Sequence, residues 1–479
     1  MAFYRLSDEY ALRKFTNKIP CIVEYGISSG KMRISEDEMN VLKRCSGVNE
    51  FCISDLSEED ASFIRKMIEE DIVQEINEPH PLEEHRAYRE YNHKRIATAD
   101  WALTSKCNMN CLHCYNASGS LSEHEPDISL NEAQIIIEKL LDYGVESVKF
   151  TGGEPTMCPN FMEIARMVHD AGMRVRVIYT NGMLIDEKML DQLETIGIYP
   201  AFAISFDGLG THEWMRNIKG CEEQIKKNIA LCINRGFITT VNININKNTL
   251  PVLEDTIDYF IGIGCKCFRL MRTMESARWC EIQQKSGENL TISVEDFVEL
   301  VVEIINKYLP DIRNGIKFSL INECVIGCNT TRESLFSKMI AKPELTSGWC
   351  SEAENGIYIS SDGHVSPCAT IDSLVQRHGM YCDETNLLRH SLEEIVYGDF
   401  FMNHFRITMA DIYNASEECQ KCSRWDVCHG GVCRTNAVLL PEAFAAGQLP
   451  EREYLCQRDP VYCAMVKGGY MDAIAGILE

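Results

Sequence analysis

A repeated alternation of strand-like and helix-like segments predicts an α/β fold: a parallel sheet curled into a partial (β/α)6 TIM-type barrel. A small winged-helix domain precedes it and a cysteine-rich domain follows it. Three observations predict this. Six β/α units run in series between Asp100 and Arg272. Residues 1–95 read as a hairpin, two capped helices and a closing strand. After Cys350 the chain becomes loop-rich and dense in cysteine.

In order, IVEYGISSGKMRIS reads as a hairpin with a Gly-containing turn, SEDEMNVLKRC and SEEDASFIRKMIEED as helices, and DIVQEI as the closing strand. EPHPLEEHRAYREYNHKR is a polar connector. The barrel strands are expected in ADWALTSKC, SVKFTGGE, VRVIYTNG, PAFAISFDG, ITTVNININ and KCFRLMR, with helices such as NEAQIIIEKLLDYG between them. SVEDFVELVVEIINKYL is a long amphipathic helix that serves as a bridge. The expected domains are 1–95, the barrel at 96–310, a bridging region at 311–349 and the cysteine-rich domain at 350–479.

Bulk properties narrow the function. The 479 residues are 45% hydrophobic, with a formal charge of −24. That charge argues against a nucleic-acid partner, whose phosphates need clustered Lys and Arg. No stretch approaches the ~18–20 apolar residues of a membrane span, and the N-terminus lacks the apolar core of a secretory signal. A cytoplasmic protein is expected. Its 23 cysteines, many in tight clusters, point to metal or iron–sulfur ligation, since cytosolic thiols are kept reduced.

Cys107-Asn-Met-Asn-Cys111-Leu-His-Cys114 stands at the end of the first strand, where parallel α/β sheets gather their chemistry. Three thiolates on a short loop can hold three irons of a 4Fe–4S cubane and leave the fourth open. An open iron can chelate the amino and carboxylate groups of S-adenosylmethionine (SAM) and pass one electron to its sulfonium. Homolysis then yields a 5′-deoxyadenosyl radical that abstracts hydrogen from substrate. A zinc site is the alternative, but zinc usually closes with a fourth ligand.

The motif in this position resembles that of the radical SAM superfamily. The resemblance implies that Gly152, Gly153 and Glu154 of GGEP, after the second strand, bind the methionine amino group. It likewise matches Ser205 and Asp207 of AISFDG to the ribose contact, although S-x-D also caps helices. Thr180-Asn181-Gly182 either lines the pocket or is a plain turn.

The C-terminal pattern resembles the SPASM extension of radical SAM proteins, which holds two auxiliary 4Fe–4S clusters. On that resemblance Cys350, Cys368 and Cys433 ligate the inner cluster, and Cys419, Cys422 and Cys428 the outer one. The outer set's fourth ligand is expected to be Cys456, with Cys463 as the contender. The four-residue gap before Cys433 departs from the usual three. The inner cluster has either an open iron for a substrate thiolate or a further ligand in Cys328 or Cys382; a zinc ribbon is the rival reading. Cys158, Cys232, Cys265 and Cys267 read as buried fillers.

Residues 1–95 resemble, in element order, the peptide-recognition domain known as the PqqD-like, pyrroloquinoline-quinone chaperone fold. They hold 14 Lys or Arg against 19 Asp or Glu and no basic recognition helix, so an exposed hairpin edge pairing with a peptide is preferred to DNA binding. Together the resemblances imply a radical SAM/SPASM maturase that binds the leader of a ribosomally made precursor peptide and forms a thioether crosslink. A low-potential donor such as flavodoxin or ferredoxin would supply electrons to its three 4Fe–4S clusters. Carbon–carbon crosslinking, epimerisation and a cofactor-pathway reaction are alternatives. A sulfatase-type maturase is disfavoured because Ala369 stands where those enzymes carry Asp. A reading of a different class is a metal-binding winged-helix regulator.

Overall fold

The computed structural model describes residues 2–15, 20–24, 31–116, 127–320, 325–331, 334–335, 356–377, 382–431, 433–434 and 452–479. The N-terminal part contains strands β1 (Ala2–Leu6), β2 (Tyr10–Lys14), β3 (Pro20–Glu24) and β4 (Lys31–Arg33), helix α1 (Glu36–Leu42), β5 (Ser46–Phe51), helix α2 (Glu58–Glu69), β6 (Val73–Ile76) and β7 (Arg89–Glu90). Both helices start where the sequence places them: Ser35 closes a capping box with Glu38, and Ser57 accepts from the Asp60 amide. The strands form two sheets, β5-β1-β6 and β4-β3-β2-β7. The hairpin and the closing strand thus lie in different sheets, and β1, β2, β5 and β7 add to the expected elements. Leu6, Met39, Leu42, Phe51, Ile64 and Val73 fill a shared core, each side chain contributing ~1.5–3 kcal/mol by burial.

The six expected strands form the body of the main sheet. They are β8 (Thr98–Ala102), β9 (Ser147–Thr151), β10 (Arg174–Thr180), β11 (Ala201–Ser205), β12 (Thr239–Ile245) and β13 (Cys267–Arg272). All pair in parallel with their sequence neighbours. Between them run α3 (Leu130–Tyr143), α4 (Phe161–Asp170), α5 (Glu187–Ile196), the short α6 (His212–Arg216), α7 (Cys221–Asn234) and α8 (Leu253–Gly262). After β13 come α9 (Ala277–Ser286), which the sequence reading missed, the bridge helix α10 (Val294–Lys307) and α11 (Leu309–Arg313).

The sheet extends beyond these six strands at both ends. β14 (Lys317–Ser319) continues it past β13, followed by the antiparallel β15 (Val325–Ile326). At the other end β16 (Gly356–Ile359) pairs in parallel with β8, and β17 (Val365–Ser366) folds back on it. The result is an open ten-stranded sheet, with the cysteine-rich segment joined to β8.

Strand alternation divides the faces. Trp101, Phe150, Ile178, Phe202, Ile204, Val241, Ile243 and Phe268 belong to the buried apolar core with Ile136, Ile164, Leu190, Ile225 and Ile257 of the helices. Asp100, Lys149, Tyr179, Ser205, Asn242 and Arg269 line a cavity. The helices Pro460–Lys467 and Tyr470–Leu478 pack on α10, burying Met465, Met471 and Ile474. Among the described residues no single helix is long and apolar enough to cross a membrane.

A buried ion pair fastens the N-terminal part to the main sheet. Arg95 Nε and Nη2 reach Glu146 at 2.7 and 2.5 Å, and His93 stacks on Tyr143 with ring centroids 3.8 Å apart. Burial pushes the Glu146 carboxyl up to about 7, against the pull of Arg95. Removing one partner of such a pair costs about 3–5 kcal/mol, so Arg95→Ala is expected to lose stability on that scale. The loss grows from about pH 6 to about pH 8. A carboxyl that keeps its proton in the fold but ionises in the unfolded chain costs more as pH rises, and without Arg95 its folded pKa climbs further. Urea denaturation at both pH values measures this.

Candidate functional site

Cys107, Cys111 and Cys114 follow β8 and line one cavity of about 1390 Å³. Their loop is held by its main chain. The Gly153 and Glu154 amides donate to Thr104 and Lys106 carbonyls, both at 2.8 Å, and the Leu112 amide donates to the Met215 carbonyl at 2.9 Å. From α9, Arg278 donates to the Cys111 carbonyl at 3.2 Å; Ser276, its N-cap, donates to that of His113 at 3.3 Å.

The sulfurs also meet donors. The Met109 amide lies 3.5 Å from Cys107 Sγ, Asn181 Nδ2 lies 4.0 Å from the same atom, and Arg216 Nη1 lies 3.6 Å from Cys111 Sγ. Such contacts stabilise negative charge on sulfur. Yet burial pushes the Cys107 thiol up to about 12 and raises Cys111 as well. Metal-free, these thiols hold their protons; bound iron is what would make them thiolates. Donors aimed at sulfurs that burial alone would keep protonated fit an iron–sulfur group. Among the described residues no three His, Cys, Asp or Glu side chains converge on a point suited to one metal ion. The thiolates of a cubane bind separate irons at its corners.

The GGEP segment lies against the triad loop. Gly152 has φ +129°, and a Cβ there would meet the Thr104 carbonyl oxygen at 2.3 Å; one on Gly153 would meet that of Lys106 at 2.1 Å. The glycines are required by the loop leading into Cys107. Glu154 is buried, and its carboxylate accepts from Thr156 Oγ1 at 2.6 Å, Thr180 Oγ1 at 2.7 Å and the Asn181 amide at 2.7 Å. It therefore ties the β9 turn to the β10 turn. Burial raises this carboxyl even against those bonds. Asn181 Nδ2 also donates to Asn108 Oδ1 at 2.6 Å, inside the triad loop. Gly152, Gly153, Glu154, Thr180, Asn181 and Ser205 all line the cavity.

Asp207 departs from its expected ribose role. Its side chain is wholly buried and is not part of the cavity wall. The carboxylate lies 2.7 Å from Arg216 Nε and accepts from the Asn244 amide at 3.2 Å. Burial alone would raise it, but Arg216, His113, His212 and the Asn244 amide together hold it below the usual carboxylate range. The sequence reading missed Arg216 and the pairing of Asn244 Nδ2 with His113 Nε2 at 3.1 Å. The signal was His212 and Arg216 one helical turn apart, just after S-F-D-G.

Among the C-terminal cysteines, Cys368 and Cys433 line the large cavity and Cys350 lies outside the described residues. Cys419, Cys422 and Cys428 surround a second, smaller hollow, and the fourth thiol there is Cys463, with Arg424, Arg458 and Lys467 around them. This corrects the preference for Cys456, which is buried among Ile371, Phe405, Ile407, Ile412 and Leu455. Asp459 explains the choice. It caps the helix Pro460–Lys467 that carries Cys463, and its other oxygen accepts from the Cys433 amide at 3.1 Å. An Asp-Pro start is a helix N-terminus signal, so Cys463 was placeable near the first turn of a helix. Cys328 and Cys382 line neither hollow, whereas Cys280 lines the large one.

Comparisons with known proteins agree with this geometry. A model of the Radical SAM superfamily matches residues 101–260, and one of SPASM, an iron–sulfur cluster-binding domain, matches 350–423. The Fe-coproporphyrin III synthase of Methanosarcina barkeri is 32% identical over 162 residues, 33% of this chain and 40% of the synthase. The sporulation killing factor maturation protein SkfB of Bacillus subtilis is 24% identical over 271 residues, 56% of this chain and 59% of SkfB. Both matches thus span well under two thirds of those relatives. Streptococcus suis SuiB, solved with its precursor peptide SuiA, shares the fold across 96% of this chain and 99% of its own, with TM-score 0.62 and 17% identity.

Two substitutions test the site. Cys463→Ser is expected to lose the iron of the small hollow after anaerobic reconstitution, whereas Cys456→Ser retains it; iron and sulfide assays decide. Gly153→Ala is expected to displace the Lys106 carbonyl and to abolish the cluster absorbance that depends on the triad. Residues 101–260 thus form a Radical SAM superfamily region, and residues 350–423 a SPASM iron–sulfur cluster-binding region.

Proposed function

We propose that this protein is a cytoplasmic maturase of a ribosomally made precursor peptide, forming a thioether between a Cys sulfur and a carbon of the core segment. The observation that carries the proposal is one cavity of about 1390 Å³ lined both by Cys107, Cys111 and Cys114 and by Cys368 and Cys433. That exceeds the ~300–1,000 Å³ typical of a single small-molecule site and supports room for a peptide side chain beside SAM. In this reading Cys107, Cys111 and Cys114 hold the SAM-binding cluster. Cys350, Cys368 and Cys433 hold the inner auxiliary cluster, and Cys419, Cys422, Cys428 and Cys463 the outer one. When bound, the first cluster and SAM supply one-electron cleavage to a 5′-deoxyadenosyl radical that removes a substrate hydrogen.

The chain's own residues position and enclose that chemistry. Glu154 sets the turns that present Gly153 and Asn181, and Ser205 lines the cavity wall; in this reading Ser205 contacts the ribose. Buried Lys149 and half-buried Asp100, 3.2 Å apart on neighbouring strands, line the cavity on which the substrate would rest. Residues 1–95 act as the PqqD-like winged-helix leader-recognition domain, through strand addition. Residues 96–310 form the partial barrel, 311–349 the bridge and 350–479 the SPASM domain. Flavodoxin or ferredoxin supplies electrons. SkfB and SuiB, one a maturation protein by name and the other solved with its precursor peptide, support a peptide substrate.

A second reading is a tetrapyrrole substrate, favoured by the likeness to Fe-coproporphyrin III synthase and by Lys149, Lys247, Arg269 and Arg272 along the cavity. Anaerobic incubation with SAM, reductant and a cysteine-containing precursor peptide encoded beside the gene separates the readings. Thioether formation is expected as loss of two hydrogens per event, with one cysteine made unreactive to alkylation. The Cys107→Ala/Cys111→Ala/Cys114→Ala variant should show neither change. Loss of two hydrogens with the cysteine still alkylated means carbon–carbon crosslinking, and unchanged mass with deuterium uptake means epimerisation. Turnover of a porphyrin carboxylate and not of the peptide would overturn the proposal.

A further inference from the structure

We propose that Arg216 and Asp207 form a buried charge lever on the triad site. The guanidinium sets how readily a cluster there accepts an electron, and the carboxylate sets how much of that positive charge the cluster feels. The inference rests on the reading that Cys107, Cys111 and Cys114 hold a 4Fe–4S cluster.

Arg216 ends α6 and is 6% exposed. Nη1 lies 3.6 Å from Cys111 Sγ and Nε lies 2.7 Å from Asp207 Oδ2. Solvent and salt screen little in such a place. The positive end of the pair faces the sulfur and the negative end faces away. Other groups nearby do not supply that charge. His212 Nδ1 accepts from the Asp207 amide at 3.0 Å, and burial, aided by Arg216, pushes His212 down to about 3. That ring is therefore neutral near pH 7, and His113 Nε2 is engaged with Asn244 Nδ2 at 3.1 Å. Arg278 donates to the Cys111 carbonyl. Among the described residues Arg216 is the cation whose donor lies against a triad sulfur.

Reduction adds one electron, from a low-potential one-electron donor, to a cluster already carrying three thiolates; no bond forms or breaks. A cation at 3.6 Å favours the more negative, reduced state, and second-sphere donors are known levers on such potentials. The two partners must then act in opposite directions. Arg216→Gln removes the cation and leaves a buried carboxylate, which disfavours reduction. Asp207→Asn leaves the cation uncompensated, which favours it. A purely structural knot would have no reason to give opposite signs.

The test is a potentiometric titration of the reconstituted full-length protein, followed by electron paramagnetic resonance. The triad signal is the one that SAM perturbs and that the Cys107→Ala/Cys111→Ala/Cys114→Ala variant lacks. At the potential that half-reduces the wild-type cluster, Arg216→Gln is expected to lower the reduced-to-oxidised ratio about tenfold, roughly 59 mV for a one-electron couple. Asp207→Asn should raise the ratio, Arg216→Lys should stay near wild type, and the double variant should return toward it. Should Arg216→Gln fail to assemble a cluster, the rise in Asp207→Asn and the wild-type behaviour of Arg216→Lys still decide. Shifts of the same sign, or none, overturn the inference while the cluster reading stands. A wild-type protein without a SAM-responsive signal overturns both.

Discussion

Three thiols face one cavity only because the loop from Cys107 to Cys114 is fixed by contacts along its backbone. The determining contact is the close approach of Gly152 and Gly153 to the carbonyls of Thr104 and Lys106, where any side chain would collide. Two parallel main-chain bonds close that seam. Both ends of the contact are the C-terminal ends of adjacent strands, β8 and β9, so the sheet register sets the position of the first thiol. Everything placed against this loop inherits its precision: Asn181 from the β10 turn, Met215 and Arg216 from α6, Ser276 and Arg278 at α9.

Two buried carboxylates make this plain. Glu154 and Asp207 sit after strands at positions where a ligand-binding role is the natural expectation, yet both turn toward the protein. Glu154 collects donors from the β10 turn and its own; Asp207 collects Arg216 and the Asn244 amide. A buried carboxylate is tolerated only when donors satisfy it, so each brings together elements that the sheet alone leaves separate. Asp207 stands behind the cavity wall, whereas Glu154 both lines the cavity and ties its turns together.

How much of this was legible in the sequence depended on whether the signal was local. The six parallel strands and their helices were readable because each unit carries its own periodicity and ends in a turn. The triad was readable because its three thiols share one loop. The N-terminal sheets were not, because β1 takes as partners β5 and β6, both beyond the intervening hairpin. β16 was hidden for the same reason: its partner β8 lies on the far side of the whole barrel segment. Asp207 was misplaced because S-x-D specifies a turn but not the direction of its carboxylate, which Arg216 on the next short helix decides. Cys456 and Cys463 differ only in the helix start between them, and the Asp-Pro signal there outweighed proximity in sequence.

The pairing of β16 with β8 has a consequence for how the two cysteine groups relate. Strand β8 leads into Cys107, and β16 with its return strand β17 leads into Cys368. Strands β8 and β17, separated in the sheet by β16, therefore lead into Cys107 and Cys368. A second tie reinforces the first: Ser373, in the helix that follows Cys368, donates to the carbonyl of Tyr115, the residue after Cys114, at 2.7 Å. The separation of these groups is thus set by hydrogen bonds within a sheet and across one helix, not by a linker. Electron transfer depends steeply on distance, so a separation held this way is the property an enzyme needs if one site must generate a radical and the other must take up the electron it leaves behind.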